Sequence, residues 1–78
     1  MKVNKTQFWR EQYKNENLIK EWYKNYISFY PAPPPAKIIK FQFLKGELKQ
    51  IEEIFKNKKE QKEIFDFLKN IVLNIKEN

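Results

Sequence analysis

Few side chains in this sequence are equipped for catalysis. The chain of 78 residues contains no histidine and no cysteine, so the commonest general base and the strongest side-chain nucleophile are both missing. Its single threonine, Thr6, and its single serine, Ser28, have no neighbouring partner in a pattern that suggests an activated hydroxyl. We therefore expect a protein that is not an enzyme, with no catalytic residue and no cofactor.

The acidic side chains do not predict a metal site. Four glutamates lie close enough in sequence to share a cation in principle, namely Glu52, Glu53, Glu60 and Glu63. Four lysines are interspersed with them between positions 56 and 62, and their charge neutralises the cluster, so we expect a solvated helix surface. A single glycine, Gly46, cannot form the glycine-rich loop that holds a nucleotide phosphate. No metal ligand is predicted.

Aromatic residues make up 17% of the chain and include the residue types that most often anchor protein interfaces. In the first 30 residues they recur at helical spacing on two adjacent stripes, one containing Trp22 and the other containing Trp9. Because one helix cannot bury both stripes on a small domain, we expect part of this aromatic face to stay exposed. The residues predicted to bind a partner are Trp9, Tyr13, Trp22, Tyr23 and Tyr30.

The basic charge of the chain indicates an alternative. Sixteen lysines and arginines against ten acidic residues give a net charge of +6, spread evenly along the sequence. Lysines beside exposed rings suit phosphate contact combined with base stacking. Dedicated nucleic-acid-binding domains usually concentrate their charge on one face and use arginine, whereas this chain uses almost only lysine. The residues that would contact nucleic acid are Arg10, Lys14, Lys20, Lys24, Lys56, Lys58, Lys59 and Lys62.

The hydrophobic pattern predicts an all-α fold of three helices in one small domain. Residues 1–30 are predicted to form one long aromatic helix. The apolar stripes lapse at residues 14–17, so two helices that meet at a kink, with Asn17 as the new cap, are the main alternative. Residues 31–36 are rich in proline and predict a stiff polyproline II connector that ends the helix.

Residues 37–78 are predicted to form an extended segment followed by a helical hairpin. Ile39, Phe41 and Phe43 alternate at period two, which is typical of a short strand. An amphipathic helix is expected after Gly46. The all-α fold therefore leaves room for one short strand.

The hairpin itself depends on a polar turn predicted at residues 57–59, with the last helix beginning near Glu60. The short connection favours two antiparallel helices. One continuous helix over residues 47–76 is the alternative, because Lys58 and Lys62 fall in register with the apolar stripe.

Together these features predict a small basic helical protein that binds a larger protein or protein complex as an adaptor, inhibitor or accessory subunit. The same hypothesis includes self-association, in which the aromatic stripe closes a homodimer. Compact inhibitors from viruses or mobile elements have a similar build, by analogy alone.

No stretch approaches the 18 or so apolar residues of a membrane span, so a cytoplasmic location is expected. Nucleic-acid binding is the alternative function.

Overall fold

The computed structural model describes residues 5–32 and 35–76, and these residues form four α-helices with no strand. The all-α class is confirmed, but the helices number four where three were predicted. Their bounds are α1 Lys5–Gln12, α2 Glu16–Ser28, α3 Ala36–Ile54 and α4 Lys58–Leu73. None of them combines the length and the apolar character that crossing a membrane requires.

The predicted long N-terminal helix is interrupted, and the kinked alternative is correct. Asn15 leaves helical geometry with φ −93° and ψ 102°, and its side-chain oxygen accepts a hydrogen bond of 3.1 Å from the backbone N–H of Leu18. Asparagine is among the best N-cap residues because it satisfies one of the free N–H groups of the first turn. The cap is therefore Asn15, two residues before the expected Asn17, and α2 starts afresh in a new direction.

The predicted strand at residues 38–43 is wrong, because this segment is the first part of α3. The helix begins directly after Pro35, whose carbonyl accepts hydrogen bonds from the N–H of Ile38 at 2.9 Å and of Ile39 at 3.1 Å. Ile39 and Phe43, four residues apart, are buried, whereas Phe41 is 67% exposed. Burial thus follows the helical period, and the alternation at period two is coincidental.

The predicted polyproline connector is only partly described. Pro31 and Ala32 are exposed and follow the end of α2, while Pro35 has φ −50° and ψ 144°, which is close to polyproline II geometry. Residues 33–34 lie outside the described part of the chain. Since a proline disfavours helical geometry in the residue before it, the run separates α2 from α3.

The C-terminal hairpin is confirmed over the single long helix. Asn57 caps α4, because its side-chain oxygen accepts a hydrogen bond of 3.0 Å from the backbone N–H of Glu60. The turn is therefore centred on residues 55–57, slightly earlier than predicted. At the other end, Lys40 of α3 donates a hydrogen bond of 2.6 Å to the carbonyl of Ile75, just past the end of α4.

The hydrophobic core lies between α2, α3 and α4. The rings of Tyr23 and Phe43 meet edge to face at 5.3 Å between centroids, so α2 packs against the first half of α3. No polar or charged side chain is buried in the described part of the chain. The buried residues are Tyr13, Ile19, Tyr23, Ile39, Phe43, Leu44, Ile51, Phe55, Ile64, Leu68, Ile71 and Val72.

Candidate protein-binding groove

An open groove of about 360 Å³ lies where α1, α2 and α3 meet. Its lining combines aromatic rings with one acidic side chain and no basic one. We call it the Trp groove, and its lining residues are Trp9, Tyr13, Trp22, Glu47, Gln50 and Ile54.

The two tryptophans come together because of the helix break. Trp9 and Trp22 are thirteen residues apart, which in one continuous helix would separate them by about 20 Å along the axis. With α1 folded back at Asn15, their ring centroids lie 6.5 Å apart. The cap at Asn15 is therefore what creates the groove.

The rings in the wall of the Trp groove hold one another in place. Tyr13 and Trp22 meet edge to face at 5.3 Å, and Tyr13 also meets the buried ring of Phe55 at 6.1 Å. Such pairs are each worth about 0.5–1.5 kcal/mol beyond their buried area. Trp9 and Trp22 are half-buried, pack against the core and still line the groove. The wall is consequently packed against the core and still presents apolar surface to solvent.

A carboxylate and a phenol face each other in the groove. The hydroxyl of Tyr13 donates a hydrogen bond of 2.8 Å to an oxygen of Glu47. Burial raises the pKa of the Glu47 carboxyl above its ordinary value, and the hydrogen bond from Tyr13 offsets part of that rise. Burial likewise raises the pKa of the Tyr13 hydroxyl, and the charge of Glu47 adds to the effect. The pair thus consists of a half-buried carboxyl group and a phenol that stays protonated at neutral pH.

Arg10 fixes α1 on the hairpin. Its guanidinium donates one hydrogen bond of 3.1 Å and a second, shorter one to the two oxygens of Glu60, and a further bond of 2.6 Å to Gln7. It also lies 5.9 Å from the centre of the Phe55 ring. The hydrogen bonds from Arg10 lower the pKa of the Glu60 carboxyl. These contacts with Glu60 and Phe55 hold Arg10 in place, and they therefore also position Trp9, the residue before it.

Two of the predicted partner-binding residues belong to the core. Tyr13 is 2% exposed and Tyr23 is 1% exposed, so both serve packing in this structure and neither presents its ring to solvent. Trp9 and Trp22 are brought together in the Trp groove. Tyr30 lies apart from them beyond the end of α2, where its hydroxyl is 3.2 Å from that of Tyr26.

Sequence reasoning missed the half of the groove that α3 provides. Glu47 lies four residues after the buried Phe43 and four before the buried Ile51, so it is on the core-facing side of the helix. An acidic residue in register with apolar ones is a detectable signal. The prediction assigns Phe43 to a strand and makes Glu47 the first residue of the helix, so the apolar residue one turn before Glu47 is missing from the pattern.

No protein-family model matches the chain, and neither a curated protein nor a solved structure matches it. Within the described ranges, no group of three or more acidic side chains is arranged to hold a metal ion. The geometry of the Trp groove is therefore the basis on which a function can be assigned.

The predicted nucleic-acid residues do not share one face. Lys20 and Lys24 border a cleft with Lys76, which follows the C-terminal end of α4. Lys58, by contrast, begins α4, whose 16 residues span about 24 Å. Arg10 is bound to Glu60. Three more lysines lie with Lys58 at the hairpin turn, namely Lys56, Lys59 and Lys62. Lys14 lines a separate cleft beside Glu60 and Glu63.

Proposed function

We propose that this protein is not an enzyme and that it binds a larger protein, as an adaptor, inhibitor or accessory subunit, through the Trp groove. The observation that carries this proposal is the pair of tryptophans, Trp9 and Trp22, held 6.5 Å apart at an open concave surface. Tryptophan is the residue type most enriched among the few that dominate binding energy at protein interfaces.

The packing of the groove wall supports the proposal. Trp22 is held by Tyr13, and Tyr13 by Phe55 and Glu47, so the wall is formed before any partner arrives. Ordering a mobile side chain at an interface costs about 0.5–1.5 kcal/mol, and a preformed wall avoids that cost. A partner can therefore use most of the apolar area that it covers.

Nucleic-acid binding has less support. Lys20 and Lys24 lie at the far end of α4 from the other predicted residues, and Arg10, the one cation suited to bidentate phosphate contact, is committed to Glu60. A nucleic acid that contacted the lysines at both ends of α4 would have to extend along more than half of the longest dimension of the described residues, which is 43 Å.

Affinity capture with matched variants tests the proposal. Tagged wild-type protein, Trp22→Ala and Phe29→Ala are each incubated with lysate of the native cell at moderate salt, with and without nuclease. Phe29 is the control because it lies next to the end of α2, is 82% exposed and does not line the groove. We expect one stoichiometric protein to be retained by the wild type and by Phe29→Ala and lost from Trp22→Ala.

Two results would contradict the proposal. One is a partner retained equally by wild type and by Trp22→Ala. The other is recovery that disappears with nuclease, which would favour the basic surfaces. Because removing a half-buried tryptophan can destabilise a small domain, far-ultraviolet circular dichroism of Trp22→Ala must first show wild-type helix content. Trp9→Ala serves as a second groove variant, since no residue of α1 is fully buried.

A further inference from the structure

We propose that the Trp groove receives an arginine side chain of the partner protein, which stacks on Trp9 and Trp22 and pairs with the carboxylate of Glu47. This inference rests on the proposed function, because it names the chemical group that the same groove binds.

The charge inside the groove is opposite to that of the chain. The protein carries a net charge of +6, yet the six lining residues include one acid and no base. A cation that approaches the molecule is repelled by most of its surface and attracted by this site. The groove therefore selects a partner by a single well-placed cationic group.

The Glu47 carboxyl has no cationic partner among the described residues. One of its oxygens accepts the hydrogen bond from Tyr13, and the described residues provide no ion pair for it. Burial penalises its charge, as the raised pKa shows. A carboxylate in such surroundings interacts with a cation several times more strongly than one in open water. An arginine of the partner would give the Glu47 carboxylate an ion-pair partner. Because the site is half-buried, that ion pair would be stronger than one in open water.

The tryptophan rings suit a guanidinium in particular. A flat, weakly hydrated cation within about 6 Å of a ring centre is attracted by the ring face, and tryptophan is the strongest such acceptor. The indoles of Trp9 and Trp22 lie side by side with a tilt of 57° between their planes. They border the same groove as Glu47, so one side chain can reach ring and carboxylate together.

The same chemistry already occurs once in the molecule. Arg10 lies 5.9 Å from the centre of the Phe55 ring and donates two hydrogen bonds to Glu60. There the ring, the carboxylate and the guanidinium are all present. In the Trp groove the rings and the carboxylate are present, and the guanidinium is the component that a partner would supply.

A titration of the full chain with a small probe tests the inference. The probe is N-acetyl-arginine methylamide, and the control is the citrulline compound of the same shape, which has a neutral urea in place of the guanidinium. The chain has two tryptophans, so two indole N–H signals in a ¹H–¹⁵N spectrum report on the groove. We expect saturable shifts of both signals with the arginine probe, on the order of millimolar affinity, and none with the citrulline probe.

Two variants make the test specific. Glu47→Gln keeps the size of the side chain and an acceptor for Tyr13, and it should weaken binding of the arginine probe at least tenfold. Gln50→Arg changes an exposed residue one turn from Glu47 and should block the probe with its own guanidinium. Equal shifts with both probes, or unchanged binding by Glu47→Gln, would overturn the inference.

The partner separates this inference from the proposed function. If Trp22→Ala loses the partner while Glu47→Gln retains it at wild-type affinity, the groove binds protein without an arginine and only this inference fails. If the partner is indifferent to both Trp9→Ala and Trp22→Ala, the proposed function fails as well.

Discussion

Tyr13 and Glu47 are 34 residues apart in sequence and share a hydrogen bond of 2.8 Å, which joins the end of α1 to the middle of α3. Both residues line the Trp groove. It fixes the distance between the wall that carries the tryptophans and the helix that carries the acid. The short helix α1, which has no fully buried residue of its own, depends on this contact and on Arg10 for its position.

Removing the Tyr13 hydroxyl should therefore destabilise the fold. Tyr13→Phe keeps the ring in the core but leaves the half-buried Glu47 without its donor, and such a loss costs about 1–3 kcal/mol. The free energy of unfolding, measured by urea denaturation, should fall by that amount. Tyr30→Phe is the control, because it removes a hydroxyl whose partner within the described ranges is Tyr26, outside the core. Equal stability of the two variants would show that the contact with Glu47 is unimportant.

The pH dependence of stability should have two opposite components. Burial raises the pKa of Glu47, so its contribution is greatest below the ordinary carboxyl pKa of 4.5 and is lost as pH rises through the raised value. Arg10 lowers the pKa of Glu60, so that contribution is present above the ordinary value and is lost as pH falls through the lowered one.

Urea midpoints measured from about pH 3 to about pH 8 can separate the two components. Glu47→Gln should be more stable than the wild type at neutral pH and lose that advantage in acid. Glu60→Gln should be less stable at neutral pH and approach the wild type in acid. If Glu47→Gln is destabilising at neutral pH, the carboxylate is not the uncompensated charge that the arginine hypothesis requires.

Gly46 is a position where stability can be gained. It lies in the interior of α3, is exposed, and has no positive φ that would need glycine. A Cβ atom added there would meet nothing within 4 Å. Gly46→Ala should therefore raise the free energy of unfolding by about 0.5–1 kcal/mol, because alanine loses less backbone entropy in a helix. No change, or a loss of stability, would contradict the helical assignment of this segment.

The break between α1 and α2 can be tested by comparing two asparagines. Asn15→Ala removes the cap of α2 and should lower the free energy of unfolding by about 0.5–2 kcal/mol. Asn17→Ala changes an exposed residue inside the first turn and should be neutral or slightly stabilising. The opposite ranking in thermal or urea denaturation would show that the helix starts at the position expected from the sequence.

The sequence pattern predicted the hairpin and the helical state of α2 and α4, because their apolar residues recur at helical spacing over long segments, but it favoured one helix where α1 and α2 are separate. It failed at the start of α3, where Ile39, Phe41 and Phe43 fit a strand as well as a helix. The choice is made by packing, since Ile39 and Phe43 are covered and Phe41 is not. A short apolar run does not contain that information.

The exposure of the aromatic stripes was misjudged for a related reason. One straight helix could not bury both stripes, but the break lets the residues before and after it approach the core from different directions. The break at Asn15 thus buries Tyr13 and Tyr23 while Trp9 and Trp22 stay half-exposed. The direction in which α1 leaves the break depends on Arg10 and Glu60, which are 50 residues apart, and local spacing cannot reveal such a pairing.

The most direct test of the central claim is the affinity of the captured partner for three proteins, measured by isothermal titration calorimetry. These are the wild type, Trp22→Ala, and the double variant Lys58→Ala with Lys59→Ala. A residue that dominates an interface contributes at least about 2 kcal/mol, so Trp22→Ala should weaken binding roughly thirtyfold or more. The lysine variant should bind within about threefold of the wild type, as expected for exposed charges. A partner that tolerates Trp22→Ala but is lost with the two lysines would contradict the account.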